Sequence, residues 1–256
     1  MLEIVRIYLN NPLENYNYII VDQQSGLAVA VDPLDAERVY FELERRQLKL
    51  AAIFVTHEHA DHYQGSKPLA ALTNVPIYAH HSNITHLPQV DCVLKEADTV
   101  KLSEILIFNV LETPGHIKGH ISFFMLNTPD NIPRLICGDT LFNAGVGNCR
   151  HPSANVETLF KSIEKIRQLP LDTQIYPGHD YILKNLAFAH TVDPDNNKIV
   201  KLMEAVSKQT PETRQITDLA LESQVNPFFR LNRIDQFKNQ PALEAFRKLR
   251  QLRDKF

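Results

Sequence analysis

The segment "THEHADH", residues 56–62, places three histidines, one aspartate and one glutamate directly after the apolar run "LAAIFV". His57 and His59 are separated by one residue, so they project to the same side of an extended backbone. Asp61 and His62 follow where the next helix is expected to begin. Imidazole and carboxylate groups are ligands for divalent transition metals. This spacing predicts a metal site rather than a charged turn.

Three more side chains that can bind a metal follow other apolar segments. His116 ends "ETPGH", Asp139 ends "ICGD" and His179 ends "YPGH". Loops at one edge of the sheets converge in layered α/β proteins, so we expect these side chains to join the first four. Five histidines and two carboxylates are too many for one tetrahedral zinc ion. They suit two zinc ions that share one carboxylate.

Asp139 is the predicted bridge between the two ions. The remaining predicted ligands form one set for each ion: His57, His59 and His116 for the first, and Asp61, His62 and His179 for the second. Each ion then has about four protein ligands or fewer, which leaves room for a shared hydroxide. Iron or manganese is the alternative at either site, because histidine and carboxylate ligands accept both metals. A closed structural zinc site is disfavoured, since such sites commonly include cysteine and keep no open position.

The composition describes a protein with nearly balanced charge. Its 256 residues carry a formal charge of −3, and the sequence pI is near 6.4. A chain of this length buries on the order of 70–75% of its unfolded surface, so one large domain, alone or with a smaller appendage, is expected. The balanced charge argues against nucleic acid as a partner.

The cysteines and the start of the chain indicate its compartment. Cys92, Cys137 and Cys149 form an odd, sparse set without CxxC spacing, which favours a reducing environment. The start "MLEIVRIYLN" lacks the basic region and apolar core of a signal peptide. No apolar stretch approaches the roughly 18–20 residues of a membrane span. We therefore expect a cytoplasmic protein without a membrane partner, and we take it to be a monomer.

Short apolar runs separated by turn residues predict strands in the first 180 residues. They include "EIVRIYL", "NYIIV", "LAVAVD", the buried run 50–55, "HISFFML" as a half-buried strand, and the runs that lead into the candidate ligands. Helices are predicted at about 35–47, from the metal segment to about residue 72, and at about 155–168. Strands with helices at intervals predict two sheets covered by helices.

The strand pattern disappears after Tyr181. Helices are predicted near 182–192, 196–208 and 241–253, interrupted by "QTPETRQIT" and "NPFFRLNRID". We therefore place a boundary near residue 180, between a metal-binding domain at 1–180 and a helical domain at 181–256.

The segments "THEHADH", "TPGHIKGH", "GDTLF" and "YPGHDY" resemble the metal-binding motifs of the metallo-β-lactamase superfamily. This resemblance implies an α/β (α+β) fold, an αββα sandwich followed by a small α-helical domain. Within the superfamily the chain is similar to the glyoxalase II family, the hydroxyacylglutathione hydrolases, from "ENYNYIIVD" and "VDP" to "NPFFR" in the tail. The resemblance implies hydrolysis of the thioester S-D-lactoylglutathione to D-lactate and glutathione. It also implies a catalytic role for the first domain and substrate binding by the second.

Such a site would act through water. Two zinc ions lower the pKa of bound water to about 7 and polarise a carbonyl, so attack needs no side-chain nucleophile. A thiol with a pKa of about 8.5 leaves as thiolate without a strong general acid, which favours a thioester over a lactam. Asp61 and Asp139 are the predicted catalytic residues, acting through the hydroxide that the metal ions hold.

Residues that match the family's glutathione site lie mainly near the end of the chain. Arg250 and Arg253 share a face of the last helix and match the pair that the family uses toward the glycine carboxylate. Tyr181 matches a family tyrosine near the thiol portion. In "AGVGNCRHPS", Asn148 stands where many members have lysine or arginine, and Arg150 stands at an aromatic position. Arg150 is the candidate replacement for the missing cation, and a related acyl thioester is the alternative substrate.

Two other functions fit parts of the sequence. A glutathione persulfide dioxygenase with one iron would resemble the first domain, but such proteins usually lack the helical appendage. A metal-stabilised binding or RNA-processing module conflicts with the acidic pI and the lack of an extended basic stripe.

The remaining polar side chains near the motifs have simpler interpretations. His120 is expected to support the ligands without binding a metal. Glu58 points away from its flanking histidines and is expected to be a loop or surface charge. Cys149 and the neighbouring histidine at position 151 are not expected to form a thiol–base pair, because adjacent residues rarely face each other. Solvated loop positions are expected for three further histidines: His80, His81 and His86.

Overall fold

Apolar runs in the first part of the chain form a six-stranded sheet. The structure, a computed structural model, describes residues 1–256. The strands of this first sheet lie side by side in chain order: β1 (Leu2–Tyr8), β2 (Tyr16–Asp22), β3 (Leu27–Val31), β4 (Lys49–Phe54), β5 (Ile77–His80) and β6 (Cys92–Leu94). β1 to β3 are antiparallel and β3 to β6 are parallel. Parallel neighbours need crossover segments, which here include α1 (Ala36–Arg45), α2 (Ala60–Tyr63) and α3 (Ser66–Thr73).

The second sheet is built mainly from the middle of the chain. It begins with β7 (Thr99–Lys101), β8 (Ile107–Glu112), β9 (Ile121–Met125) and β10 (Arg134–Gly138). The chain continues with a hairpin of β11 (Leu141–Phe142) and β12 (Gly145–Val146), then α4 (Val156–Ile166) and β13 (Gln174–Pro177). The spatial order is β13-β10-β9-β8-β7, with β13 parallel to β10 and the other neighbours antiparallel. β8, β10 and β13 therefore run in the same direction.

Aromatic side chains join the two sheets. Phe54 of β4 stacks on Phe123 of β9, with ring centroids 4.4 Å apart, and meets Phe108 of β8 edge-on at 4.9 Å. All three rings are buried. Helices lie on the outer faces, so the predicted pair of sheets covered by helices is confirmed.

Strand β9 differs from its prediction. The segment "HISFFML" was predicted to be half-buried, but all of β9 is buried. Phe123 packs in the core between the sheets, whereas Phe124 packs in the core beneath the helices. A strand with packed layers on both sides has no solvent face, so its alternation of residue types does not report exposure.

Local signals set the helix ends. Asp35 and Asn155 cap α1 and α4 with side-chain oxygens that accept backbone N–H groups. The single helix predicted after the metal segment is two helices, α2 and α3. The break lies at Gly65, where an added Cβ would lie 2.1 Å from the carbonyl oxygen of Pro33. Five short strands, β5, β6, β7, β11 and β12, were not predicted because two to four residues carry too little periodicity. The four-residue β13 was predicted from the apolar run before Pro177.

The region after residue 180 is helical, as predicted. Its helices are α5 (Ile182–Val192), α6 (Asn197–Val206), α7 (Leu219–Val225) and α8 (Ala242–Lys255). Helix α7 was not predicted, although Asp218 is an N-cap signal whose side chain accepts the Leu221 N–H at 2.7 Å. None of the helices has the length and apolar character that crossing a membrane requires.

The helical region shares a core with the second sheet. One cluster of buried side chains contains Leu135 of β10 and Ile175 of β13 together with Phe228, Phe246 and Leu249. Burial of this common apolar surface stabilises both parts at once. The helices therefore hold a defined position against the strands that lead to the candidate ligands.

Replacing Phe54 with alanine should test the packing between the sheets. Phe54→Ala leaves a cavity beside two other aromatic rings, so we expect the free energy of unfolding to fall by about 3–5 kcal/mol. Phe41→Ala is the matched control, because Phe41 on α1 is 65% exposed. The control should change stability by less than about 0.5 kcal/mol in urea titrations. Equal losses in the two variants would contradict this packing.

Candidate metal centre

The seven predicted ligands lie together at the edge where four strands end. His57 and His59 follow β4, Asp61 and His62 lie on α2, and His116, Asp139 and His179 follow β8, β10 and β13. Because β8, β10 and β13 run in the same direction, their carboxyl ends meet at one edge of the second sheet. Two groups result, each with ligand atoms within 4.8 Å of one another: His57, His59, His116 and Asp139, and Asp61, His62 and His179. The structure thus assembles the two predicted sets.

Three ring nitrogens and one carboxylate converge in the first group. Nδ1 of His59 lies 3.0 Å from Nε2 of His57 and 3.0 Å from Nε2 of His116. Oδ2 of Asp139 lies 3.6 Å from Nε2 of His116. Four ligands at about 2.0–2.1 Å from a tetrahedral ion lie ~3.4 Å from one another. The first group therefore fits one metal ion.

The second group has similar spacing and also reaches Asp139. Nε2 of His62 and Nε2 of His179 are 3.2 Å apart, and Oδ2 of Asp61 lies 3.5 and 3.6 Å from them. Oδ1 of Asp139 is 3.4 Å from Nε2 of His62, and Oδ2 is 3.2 Å from Nε2 of His179. Asp139 thus contacts both groups, as a shared ligand must.

The buried carboxylate of Asp139 indicates a cation. Its Oδ1 atom is buried without a hydrogen-bond partner. The backbone of Gly178 lies so close that an added Cβ would be 2.4 Å from this atom and 2.6 Å from Cε1 of His62. A buried charge without a partner is costly, and metal coordination removes that cost. Imidazole nitrogens and carboxylate oxygens suit zinc, iron or manganese, so the residues present fit two metal ions.

Hydrogen bonds on the far side of the rings orient two of the imidazoles. Nδ1 of His116 donates to the backbone carbonyl of Asn148 at 2.8 Å, and Nδ1 of His179 donates to that of Leu13 at 2.7 Å. A ring that donates through Nδ1 keeps its Nε2 lone pair free. Both rings therefore present Nε2 to the site.

Asp32 supports both groups and was not predicted. Its Oδ2 lies 2.9 Å from Nδ1 of His62 and accepts the Thr56 hydroxyl at 2.7 Å. The Thr56 hydroxyl oxygen lies 3.0 Å from Nδ1 of His57. One buried carboxylate thus orients a ligand in each group. The available signal was the "VDP" motif, in which an acidic residue follows the apolar strand β3.

Asn15 holds the Asp61 carboxylate, and His120 holds the backbone at Asp139. The Asn15 side-chain amide donates to Oδ2 of Asp61 at 2.9 Å. The backbone N–H of Asp139 donates to Nε2 of His120 at 3.0 Å, which fits the supporting role expected for that histidine. A neighbour outside the ligand set therefore orients the Asp61 carboxylate directly, and another fixes the backbone from which the Asp139 side chain extends.

Burial and nearby charge set the protonation of the ligands. Burial lowers the pKa of His57 well below its ordinary value and that of His59 to about 4. Burial alone would also lower the pKa of His62, but Asp139 and Asp32 raise it to about 9. Burial raises the pKa of Asp139, yet the adjacent imidazoles outweigh this effect and hold it well below its usual range. His57, His59 and Asp139 thus take the form that binds metal, and binding at His62 displaces a proton.

A cleft opens beside the second group. The Tyr181 ring stacks parallel on His179, with centroids 4.8 Å apart. Five lining residues are the ones predicted to bind substrate: Asn148, Arg150, Tyr181, Arg250 and Arg253. The other lining residues are Phe142, Val146, Asn185 and Asp254. Three arginines against one carboxylate make the cleft positively charged, which suits an anionic ligand.

Both Nη groups of Arg250 contact other parts of the protein, whereas its Nε is buried without a hydrogen-bond partner. Only 5% of this residue is exposed, and its Nη1 donates to the carbonyls of Val146 at 2.9 Å and Gly147 at 3.2 Å. Its Nη2 lies 3.0 Å from Oδ1 of Asp254. Arg250 therefore holds one wall of the cleft in addition to contributing its charge.

Arg253 and Arg150 keep donors available. Arg253 donates one hydrogen bond, to Oδ1 of Asn185 at 3.2 Å, and Nη2 of Arg150 donates to the Asp254 carbonyl at 2.9 Å. Their remaining guanidinium N–H groups donate no hydrogen bond within the protein, although Nε of Arg150 lies 3.9 Å from Oδ1 of Asp254. These two side chains are therefore better placed than Arg250 to bind a carboxylate.

His80 differs from its prediction, whereas Cys149 agrees with it. His80 is buried, accepts the Ser82 backbone N–H at 3.2 Å and lies 3.1 Å from Oε1 of Glu112. It was expected to be solvated, but strand β5 extends to this residue and draws it into the sheet. The Cys149 thiol donates to the Gly115 carbonyl at 3.4 Å, and burial raises its pKa to about 11, so it is a poor nucleophile.

The metal content of two variants should test Asp139 as the shared ligand. Asp139→Ala removes the one carboxylate common to both groups, so we expect two bound ions per chain to become one or none. The affinity for the second ion should fall more than ~10-fold. Glu58→Gln is the matched control, because Glu58 lies in the same segment outside both groups, near His86. Elemental analysis after dialysis measures the outcome, and two tightly bound ions in Asp139→Ala would contradict the bridge.

Family profiles match the whole of this site and the helical region. The metallo-beta-lactamase superfamily profile matches residues 12–179, and the hydroxyacylglutathione hydrolase C-terminus profile matches residues 180–256. The chain is also similar to a hydroxyacylglutathione hydrolase of Nitrosococcus oceani. The two are 37% identical over 265 aligned positions, which cover 99% of each chain.

Solved structures share the fold. The BLEG-1 B3 metallo-beta-lactamase is 22% identical with a TM-score of 0.69, covering 89% of this chain and 99% of the other. The protein TTHA1623, crystallised in a di-iron-bound form, is 25% identical with a TM-score of 0.63, covering 87% and 98%. The fold and the two ligand groups together imply a dinuclear metal site. The resemblance to the glyoxalase II family is confirmed, and the chain belongs to the hydroxyacylglutathione hydrolase family of the metallo-β-lactamase superfamily.

Proposed function

We propose that the protein is a metal-dependent hydrolase that converts S-D-lactoylglutathione and water to D-lactate and glutathione. The observation that carries this proposal is the junction of two metal-ligand groups with a cationic cleft at the stacked pair His179 and Tyr181. Relatives named hydroxyacylglutathione hydrolase match the full length of the chain and support the same activity. In this proposal residues 1–180 form the catalytic domain and residues 181–256 bind the substrate.

The ligand carboxylates have different parts in the reaction. When bound, two metal ions would supply an activated water and polarise the thioester carbonyl. The Asp61 side chain is 22% exposed, against 8% for Asp139. Asp61 is therefore placed to accept a proton, while Asp139 holds the two ligand groups at a common centre. No side-chain nucleophile is required, because a thiol leaves readily as thiolate.

The glutathione part of the substrate is proposed to occupy the cleft. Tyr181 lies beside the reacting end, because it stacks on a metal ligand. Arg253 and Arg150 bind the glutathione carboxylates with their free donors, and Arg250 adds charge while holding the wall. Asn148 provides no charge where many relatives have a cation, and Arg150 restores one two residues later. A related acyl thioester remains the alternative substrate.

Zinc is the proposed metal at both positions, with iron or manganese as the alternatives. The donor set accepts all three. TTHA1623, which has the same fold, was crystallised with two iron ions. A persulfide dioxygenase is not favoured, because the helical region matches a hydrolase family and two ligand groups share Asp139.

A thiol-release assay beside metal analysis should test the activity. Metal-loaded protein should release one free thiol for each S-D-lactoylglutathione consumed. Chelation should abolish the release, and added zinc should restore it, because the chain offers no side-chain nucleophile in the site. A preparation that holds two ions per chain and releases no thiol would refute the proposal, as would oxygen uptake with glutathione persulfide in its place.

Two arginine variants on α8 should test the cleft. Arg253→Ala removes free donors from the cleft, so the KM for S-D-lactoylglutathione should rise about 10-fold, the equivalent of roughly 1.4 kcal/mol. The kcat should stay within about 2-fold, because the contact that is removed stabilises the bound substrate and the transition state equally. Arg247→Ala is the control, since Arg247 pairs with Glu157 outside the cleft. An equal rise in KM for both variants would count against the assignment of Arg253.

A further inference from the structure

The β11–β12 hairpin connects the metal centre to the cleft. Asp139 lies just before the hairpin, and Asn148, whose carbonyl accepts the His116 hydrogen bond, lies just after it. Phe142 and Val146, one from each strand, line the cleft. The position of this hairpin therefore sets the shape of the wall beside the reacting centre.

The hairpin does not hold its conformation by itself. Each strand has two residues, and the turn between them consists of Asn143 and Ala144. Ala144 has a φ of 54°, in the left-handed region that alanine rarely adopts. Such a backbone persists where surrounding groups determine it more strongly than the local preference does.

Side chains of the helical region supply those groups. The Ala144 N–H donates to Oε2 of Glu222 at 2.9 Å. The Asn185 amide donates to the Asn143 carbonyl at 3.0 Å, and the Asn226 amide donates to the Gly145 carbonyl at 3.1 Å. In all three hydrogen bonds a backbone group of the hairpin pairs with a side chain from beyond residue 180.

Glu222 is the centre of this network. It is fully buried, and beyond Ala144 it accepts the Thr217 hydroxyl at 2.7 Å and the Asn226 amide at 2.9 Å. Thr217 in turn accepts the Asn143 side-chain amide at 2.8 Å. No basic side chain pairs with Glu222, and burial raises its pKa to about 7 despite these hydrogen bonds. A buried carboxylate without a basic partner is costly, and here the hydrogen bonds from Ala144, Thr217 and Asn226 offset that cost.

We propose that Glu222 is a positioning residue that holds the hairpin where Phe142 and Val146 shape the substrate cleft. Asn185 extends this hold to the cleft itself, because its amide donates to the turn while its oxygen accepts from Arg253. The kinetic part of this inference rests on the proposed function. Glu222 touches neither the candidate ligands nor the substrate cleft, and it acts through the hairpin alone.

Two substitutions separate the hydrogen-bond acceptor from the buried shape. Glu222→Gln keeps an oxygen for Ala144 and Asn226 and can donate to Thr217 through its amide. Glu222→Leu has a similar size but leaves the Ala144 N–H unpaired. The leucine variant should raise the KM for S-D-lactoylglutathione about 10-fold with kcat within about 2-fold, and the glutamine variant should keep both within about 2-fold of the parent.

A destabilised control excludes a general loss of folded protein. Val39→Ala removes buried methyl groups from α1, in a different core cluster from the hairpin. A smaller folded fraction lowers the apparent kcat at unchanged KM, so this control should leave the KM unaltered. A KM that rises equally in Val39→Ala and Glu222→Leu would overturn the proposal.

Hydrogen exchange tests the same inference without activity. In metal-loaded protein without substrate, the Ala144 amide should exchange at least ~10-fold faster in Glu222→Leu than in the parent or in Glu222→Gln, because its buried acceptor is lost. Amides of β9 should be unaffected. If the Ala144 amide of Glu222→Leu exchanged at the same rate as that of the parent, the proposal would be overturned. Lack of thiol release by the parent would instead refute the proposed function and leave this result standing.

Discussion

The burial of the Asp139 carboxylate among imidazoles from separate segments is the constraint on which the rest of the structure depends. Its oxygens lie 3.2 to 3.6 Å from ring nitrogens of His62, His116 and His179. Burying these carboxylate oxygens and imidazole nitrogens together is costly unless a cation lies among them. The ends of β4, β8, β10 and β13 meet at this point, and Gly178 leaves no space for a side chain beside the carboxylate. The sheets are therefore arranged around the ligands as much as around the apolar core.

Directional hydrogen bonds hold the ligands where packing alone does not. Asp32 orients a histidine in each group, and backbone carbonyls orient two others. The hairpin after Asp139 extends this control to the cleft, because its turn is bonded to side chains of the helical region. That region also shares a core with β10 and β13, so the same packed side chains hold both the metal site and the cleft in place.

Much of the site could be predicted from the sequence. His57, His59, Asp61 and His62 form one compact motif, and their three partners follow apolar strands at Gly-containing turns. Two of the failures share one cause, because they depend on what packs against the other side of an element. "HISFFML" has a packed layer on both faces, and His80 is drawn into the sheet. Helix α7 had a readable cap in Asp218, but its short apolar face falls between two irregular segments.

By itself the sequence determined the ligand types and their places after apolar strands. It also determined the two-sheet fold and the helical tail, because residue spacing and hydrophobic periodicity are local properties of a sequence. Only the tertiary structure decided that Arg250 holds the wall while Arg253 keeps free donors. It also decided the roles of Asp32 and Glu222, which lie 30 residues from His62 and 78 residues from Ala144. A hydrogen bond across such a distance depends on how sheets and helices pack, and no local pattern records that packing.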